Sequence, residues 1–478
     1  MRNLTLLTDL YQLSMMNGYV ETNTADKKAI FDLFYRVAPG LDFAVVAGLE
    51  QAIQYINDLR FDDDDIAYLK SLNLFGDKFF KKIHNFKFTG SIRAMREGEI
   101  VFPSEPIMTV TATLFECQLV ETALLNIINH QTLIATKALK VTQETDGGVA
   151  EFGLRRAQGA DAGVYGARAA MIGGCKSTSN VLAGKMFGVK VTGTMSHSWI
   201  LGFESEEVAF RTYARIYPNN CLLLVDTYDT LHSGVPNAIK IFAELRASGH
   251  KPVGIRLDSG DLAYLSREAR IALDNAGFSD AKIFASGDID ENIIASLKTQ
   301  DAKIDMWGIG TKLITSYSTP SLGGVFKLAG IYENDKLIPK MKFSDTQEKI
   351  TNPGDKTVLR IYKKDGMAAA DLIALKNEVF DTNKSLTIFH PIETWKSKTF
   401  TEFSLRELPV DIFKDGECVY NSPTIEDIIL YAKKCKDEFW PEYKRLINPH
   451  VYKVDLSDGL YTMRQALLKK NMLLRSYE

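Results

Sequence analysis

The run Val191-Thr-Gly-Thr-Met-Ser-His-Ser-Trp199 sets two hydroxyls, a histidine and a further hydroxyl at the end of what reads as a strand. Those residue types suit chemistry. Gly193 lets the backbone come close to a ligand, Thr194 and Ser196 offer hydrogen-bonding hydroxyls, and His197 can change charge near neutral pH. A lone histidine beside a strand end is usually a hydrogen-bonded structural residue, so a chemical role rests on the company it keeps.

The elements that must position it repeat one grammar through the middle of the chain. Strand candidates end as Glu151-Phe-Gly-Leu-Arg-Arg156, Gly193 to His197, Leu223-Leu-Val-Asp-Thr-Tyr-Asp229, Gly254-Ile-Arg-Leu-Asp-Ser-Gly-Asp261, Ile283-Phe-Ala-Ser-Gly-Asp288 and Met306-Trp-Gly-Ile-Gly-Thr-Lys312. Amphipathic stretches such as 236–247 and 262–276 separate most of them, which predicts parallel strands joined by crossover helices. Apolar strand bodies with polar or glycine-rich carboxyl ends favour an irregular TIM-like α/β barrel. A doubly wound sheet would gather its ligand groups at one switch point instead.

The expected organisation is a mixed α+β domain over 1–115, the barrel over 116–330, and a region over 331–478 that is β-rich, then helical near 425–446, and packs back on the first. In the first region, Thr8 or Asp9 caps a helix with Leu10, Leu13 and Met16 on one side. Strands are expected at 29–37 and 43–47, a helix at 48–59, and hairpin-like β structure at 90–113. The acidic run Asp62 to Asp65 looks like a metal cluster but reads better as a helix N-terminus, where carboxylates face the positive end of the dipole.

With 478 residues, 45% hydrophobic and 24% charged, and a formal charge of −3, the composition is that of a soluble globular protein. Nothing points to nucleic acid or a charged membrane surface. Neither a signal peptide nor a run long enough to span a bilayer is expected. The five cysteines are widely spaced and form no Cys-x-x-Cys, suggesting neither disulfides nor a zinc knuckle and fitting a reducing cytoplasm.

As a chemical inventory, the strand ends supply cations (Arg155, Arg156, Arg256, Lys312) suited to a polyanion. Acids (Asp226, Asp229, Asp258, Asp261, Asp288) could hold Mg²⁺ through water or bind a ribose diol. Gly287, Gly308 and Gly310 could bring backbone N–H groups to phosphate oxygens, although each alone is as readily a turn. Together they describe a pocket for a sugar phosphate bearing further anionic groups. No Gly-x-Gly-x-x-Gly opens a helix and no Gly-x-x-x-x-Gly-Lys-Ser/Thr occurs, which argues against hydride transfer and P-loop chemistry.

Thr8-Asp-Leu-Tyr-Gln12, Phe31-Asp-Leu-Phe-Tyr-Arg36, Glu151 to Gln158, Ser177-Thr-Ser-Asn180, Gly193 to Trp199, Val225-Asp-Thr-Tyr-Asp229 and Arg256 to Asp261 resemble, in order, the nicotinate phosphoribosyltransferases. The resemblance implies an enzyme that joins nicotinate to 5-phosphoribosyl 1-diphosphate with coupled ATP hydrolysis, and a homodimer with shared sites. By the same resemblance His197 is the histidine that ATP phosphorylates, and Thr194 and Tyr11 lie around nicotinate, Tyr11 from the neighbouring subunit. Arg155 and Arg256 clamp the pyridine ring and its carboxylate, and Asp226 and Asp258 lie near ribose, diphosphate and Mg²⁺. Ser286, Gly287, Asp288, Gly308, Gly310 and Thr311 cradle the 5-phosphate, and Arg36 faces the diphosphate or ATP phosphates.

Other classes stay open: a nicotinamide-preferring relative, a different sugar-phosphate barrel enzyme with Lys312 as Schiff-base lysine, or a silent nucleotide-binding protein. The run Ser177 to Asn180 carries no acid, where a nicotinamide enzyme would be expected to have one for the amide. Turnover should therefore be faster with nicotinate than with nicotinamide in a product assay; equal or faster turnover with nicotinamide overturns that choice.

Overall fold

The computed structural model describes residues 3–475. Contacts divide the chain into two compact units, Met1–Leu133 with Ser321–Glu478, and Ile134–Pro320. The expected first and third segments thus form one unit. The dividing points fall at 133/134 and 320/321, where the sequence suggested 115/116 and 330/331, and the first of them lies inside one long helix, Leu114–Gln143.

In the first unit a seven-stranded antiparallel sheet runs in the order Lys336–Pro339, Gly324–Glu333, Lys28–Tyr35, Met108–Thr113, Ser91–Met95, Pro409–Lys414, Glu417–Cys418. The strand Lys28–Tyr35 is buried along nearly its whole length, as a strand covered on both faces must be. Its one buried charge, Asp32, accepts from Thr109 Oγ1 at 2.8 Å and pairs with Lys356 Nζ at 2.8 Å. The helix Leu10–Glu21 buries Leu13 and Met16 as expected, but Leu10 is exposed. The acidic run is a capping box: Asp65 N donates to Asp62 Oδ1 at 2.9 Å and Asp62 N to Asp65 Oδ2 at 3.2 Å. Near the carboxyl end the helix is shorter than expected, Ile425–Asp437, because Pro441 cannot continue it and Trp440 before it is extended.

A second, six-stranded sheet of this unit is built around Lys356–Tyr362 and Ala368–Leu375. Arg360 lies wholly inside and pairs with Glu99 and Asp371, each at 2.6 Å and each equally buried. Arg406 adds a second cation to Glu99 at 2.7 Å.

In the second unit six strands, all parallel, run in the order Ser177–Thr178, Gly148–Glu151, Met306–Ile309, Lys282–Gly287, Gly254–Leu257, Leu222–Leu224. In chain order the first strand of this unit, Gly148–Glu151, pairs with its last, Met306–Ile309, and the sheet forms a half-barrel. Among the described residues the ring does not close: Ser177–Thr178 and Leu222–Leu224 are its two edges. The segment 193–197 is also not the expected strand. Val191 makes a single bridge to Thr178, and the chain then leaves the sheet, with His197 opening a short helix, His197–Leu201. The cause lies in the backbone: Arg256 takes the Met195 carbonyl at 3.2 Å, so an arginine replaces a neighbouring strand. The strand Ser177–Thr178, read from sequence only as a run of hydroxyls, takes the edge instead.

The Glu99 cluster makes acid sensitivity predictable. Burial alone would raise the Glu99 carboxyl, but Arg360 and Arg406 outweigh it and lower it from 4.5 to about 2. A folded-state value below the unfolded one stabilises fully above the unfolded value and is lost as pH falls through the folded one. Glu99→Gln should cost about 3 to 5 kcal/mol at neutral pH, and its deficit in urea midpoint should shrink as pH falls from 4.5 toward 2.

Candidate active site

His197, Asp226, Arg256 and Asp258 come from three different segments of the second unit and meet at the carboxyl ends of its strands. Asp226 follows the strand Leu222–Leu224 by two residues, and its side chain is 2% exposed. A carboxylate that deep needs partners for both oxygens. Its Oδ1 lies 3.2 Å from His197 Nε2, while Oδ2 accepts from Asp258 N at 2.9 Å and Ser259 Oγ at 2.6 Å. The histidine side chain is 40% exposed, so one nitrogen is tied inward while the ring reaches solvent.

Beside this pair stands Arg256, whose Nη1 donates to Thr194 Oγ1 at 2.7 Å and whose Nη2 lies 3.6 Å from Asp258 Oδ1. Burial lowers the guanidinium from its ordinary value; Asp258 and Asp226 oppose this, and the charge of Arg155 adds to it. Arg155 itself is exposed on the turn Leu154–Arg156. Arg256 Nε is buried without a hydrogen-bond partner, a donor left over for a polar ligand.

The expected phosphate cradle divides into groups of different use. Ser286 is buried and gives its hydroxyl to Asp258 Oδ1. Gly287 has φ +118°, and a Cβ there would stand 2.8 Å from the Asp258 carbonyl oxygen, so both conformation and the close approach of neighbouring strand ends require glycine. Gly308 makes room for the Phe152 ring, which a Cβ would meet at 2.6 Å. Gly310 precedes the helical turn Thr311–Ile314, and Asp288 is exposed.

Other strand-end charges serve the scaffold. Asp229 caps the turn Thr230–Gly234, Asp261 caps the helix Leu262–Asn275, and Lys312 Nζ pairs with Asp290 at 3.0 Å, which leaves it no longer a free amine. In the run 177–180, Thr178 Oγ1 donates to Glu151 Oε2 at 2.6 Å and Asn180 caps the helix Val181–Phe187. Glu151, raised from its usual value by burial against those hydrogen bonds, also accepts from Gly153 N and so holds the turn that carries Arg155.

Two of the residues singled out from the sequence belong to the first unit. Tyr11 is 52% exposed on the helix Leu10–Glu21, its hydroxyl accepting from Gln12 Nε2 at 2.7 Å. Arg36 follows the strand Lys28–Tyr35; its Nε is buried without a partner. Its charge adds to burial in lowering nearby Lys327, as does Lys342, against Glu121. Sequence reasoning did not single out Ser259 or Glu151. The available signal was a hydroxyl directly after a strand-end aspartate, and an acid closing an apolar strand.

The fold is that of a mixed α/β protein with hydrogen-bonded charged groups gathered over the carboxyl ends of a parallel sheet. Residues 6–129 match the nicotinate phosphoribosyltransferase (NAPRTase) N-terminal domain, and residues 355–464 the C-terminal domain. The nicotinate phosphoribosyltransferase of Bacillus subtilis (strain 168) is 48% identical over 463 residues, covering 96% of this chain and 94% of that one. That of Caenorhabditis elegans is 34% identical, covering 98% and 93%. The crystal structure of human nicotinic acid phosphoribosyltransferase aligns with a TM-score of 0.85 at 28% identity, over 96% of this chain and 99% of that one. The chain belongs to the nicotinate phosphoribosyltransferase family.

Gly287→Ala tests the close approach at the cradle. Placing a Cβ at φ +118° against the Asp258 carbonyl should destabilise the protein by more than about 1 kcal/mol. It should also lower kcat/KM; unchanged urea unfolding and kinetics would remove the steric argument.

Proposed function

We propose that the protein joins nicotinate to 5-phosphoribosyl 1-diphosphate, releasing nicotinate mononucleotide and diphosphate, as a step in NAD biosynthesis. ATP hydrolysis is coupled to it through phosphorylation of His197. The observation that carries the reading is the His197–Asp226 contact at 3.2 Å. With Nε2 held by a buried carboxylate, the ring's Nδ1 keeps its lone pair for phosphorus, and the carboxylate stabilises the charge the ring gains.

In the transfer itself, the bond from ribose C1 to diphosphate breaks as the pyridine nitrogen approaches. Positive charge grows on the sugar and negative charge on the leaving group, so placement and electrostatics carry the catalysis. Nicotinate needs no general base, since its ring nitrogen already has a lone pair. Arg256 and Arg155 suit its ring and carboxylate, and the unpartnered Nε of Arg256 fits this use. Thr194, held by Arg256, lies on the same side of the site. Thr178 and Asn180 are spent on the fold and Glu151 is buried by it, which leaves no acid there for an amide and favours nicotinate over nicotinamide.

Asp258, Ser286, Gly287, Asp288, Gly308, Gly310 and Thr311 form the phosphoribosyl side, and Arg36, whose buried Nε has no partner, suits diphosphate or ATP phosphates by its charge. Among the described residues no three His, Cys, Asp or Glu gather as a metal cage. Asp226 is also fully engaged, which fits Mg²⁺ carried by the diphosphate with Asp258 and Asp288 as carboxylate contacts. Bound there, Mg²⁺ would neutralise charge on the leaving group.

We read the parallel sheet as a TIM-like barrel left open between Val191 and Leu222, because its first long strand pairs with its last as closure requires. Exposed Tyr11, with Leu7, Leu10 and Met15 exposed beside it, supports a homodimer in which this tyrosine serves the neighbour's site. The five free cysteines suit a cytoplasmic setting; no described helix is long and apolar enough to cross a membrane.

The test is product formation from nicotinate, nicotinamide or quinolinate, each with and without ATP. His197→Ala should lose ATP stimulation while retaining slow uncoupled synthesis. Normal ATP stimulation in that variant removes His197 from the mechanism.

A further inference from the structure

We infer that Ser259 is a positioning residue for phosphorylation of His197, acting through Asp226. This rests on the phosphohistidine reading above.

The side chain of Asp226 is 2% exposed, and its oxygens are divided between two tasks. Oδ1 faces His197 Nε2, and Oδ2 receives the Ser259 hydroxyl at 2.6 Å together with the Asp258 N–H at 2.9 Å. Two donors on one oxygen fix the plane of the carboxylate, since turning it about Cβ–Cγ would break both bonds. The amide is fixed by the end of the strand Gly254–Leu257, but the hydroxyl is supplied by an exposed side chain on the loop that turns at Gly260, φ +81°. Ser259 can therefore be changed without opening the core.

The two acids of the site are each held by a different serine. Ser286 donates to Asp258 on the phosphoribosyl side, and Ser259 donates to Asp226 on the histidine side. Removing Ser259 should accordingly fall on the histidine step. In that step a bond forms from Nδ1 to the γ-phosphorus of ATP, the bond to the bridging oxygen breaks, and ADP leaves with the electron pair. The ring becomes cationic and its Nε2 proton stays in the hydrogen bond to Asp226. A carboxylate held on Oδ2 by the Asp258 N–H alone would hold that proton in fewer of the enzyme's conformers, slowing the step without altering where nicotinate binds.

The experiment measures acid-labile phosphate on the full-length protein after mixing with MgATP, beside steady-state kinetics, for wild type, Ser259→Ala, Ser259→Thr and His197→Ala. Ser259→Ala should form phosphoenzyme about 10-fold more slowly, the scale of one charge-assisted hydrogen bond. Its KM for nicotinate should stay within about twofold, because the lost contact is not one of ground-state nicotinate binding. Ser259→Thr, which keeps the hydroxyl, should restore the rate. A wild-type rate in Ser259→Ala overturns the inference, as does failure of threonine to restore it in a protein of unchanged Tm. A parallel fall in Tm, nicotinate KM and rate assigns Ser259 to the fold and overturns it too. ATP stimulation surviving in His197→Ala removes the phosphohistidine reading, and the inference with it.

Discussion

A carboxylate sealed from water must have both oxygens satisfied, and Asp226 meets that demand with three partners from two other segments. Its partners are the histidine of the short helix His197–Leu201, the backbone after the strand Gly254–Leu257, and the serine that follows. Leaving both oxygens unpaired would expose the desolvation penalty of a buried charge, worth about 3 to 5 kcal/mol, whereas loss of the serine alone still leaves Oδ2 its backbone N–H. The site's shape follows from that requirement. His197 can be neither deeper nor further out and still touch Oδ1, and Asp258 must lie with its N–H toward Asp226 and its carboxylate toward Ser286 and Arg256.

The same logic explains why Arg256 stands where it does. Its guanidinium replaces strand pairing for the segment at Met195 and fixes Thr194 in the process. A group that holds the loop is thus the group proposed to hold the substrate, and burial keeps its charge from being dissipated by water. In the first unit a comparable economy appears in Arg360, where one cation satisfies Glu99 and Asp371 and links the second sheet to the segment before Ile100.

Much of the site could be read from residue order because parallel strands deliver their carboxyl ends to one face. Once 148–151, 222–224, 254–257, 282–287 and 306–309 are recognised as strands, the residues after them must lie near one another. That is why Asp226, Arg256 and Asp258 could be grouped from sequence, whereas His197 was grouped with them on the expectation of a strand at 193–197 that the structure does not form. What stayed hidden depended on which of several chemically similar groups the fold consumes. Asp229, Asp261 and Lys312 look like Asp226, Asp258 and Arg256 in sequence, yet two cap helical turns and the third closes an ion pair. Capping is a competition among nearby N–H groups and carboxylates, decided by backbone angles that composition does not specify.

By itself, then, the sequence determined the alternating α/β grammar and the residue types gathered at the strand ends, since hydrophobic periodicity and local order suffice for these, and its motifs in order carried the resemblance to the family. Only the tertiary structure decided that 193–197 leaves the sheet, that Ser177–Thr178 becomes its edge, and that Asp226 faces His197 with Ser259 behind it. Those outcomes turn on hydrogen bonds between residues tens of positions apart. Such bonds depend on which buried polar group finds which partner once the strands are packed, a choice no local pattern contains.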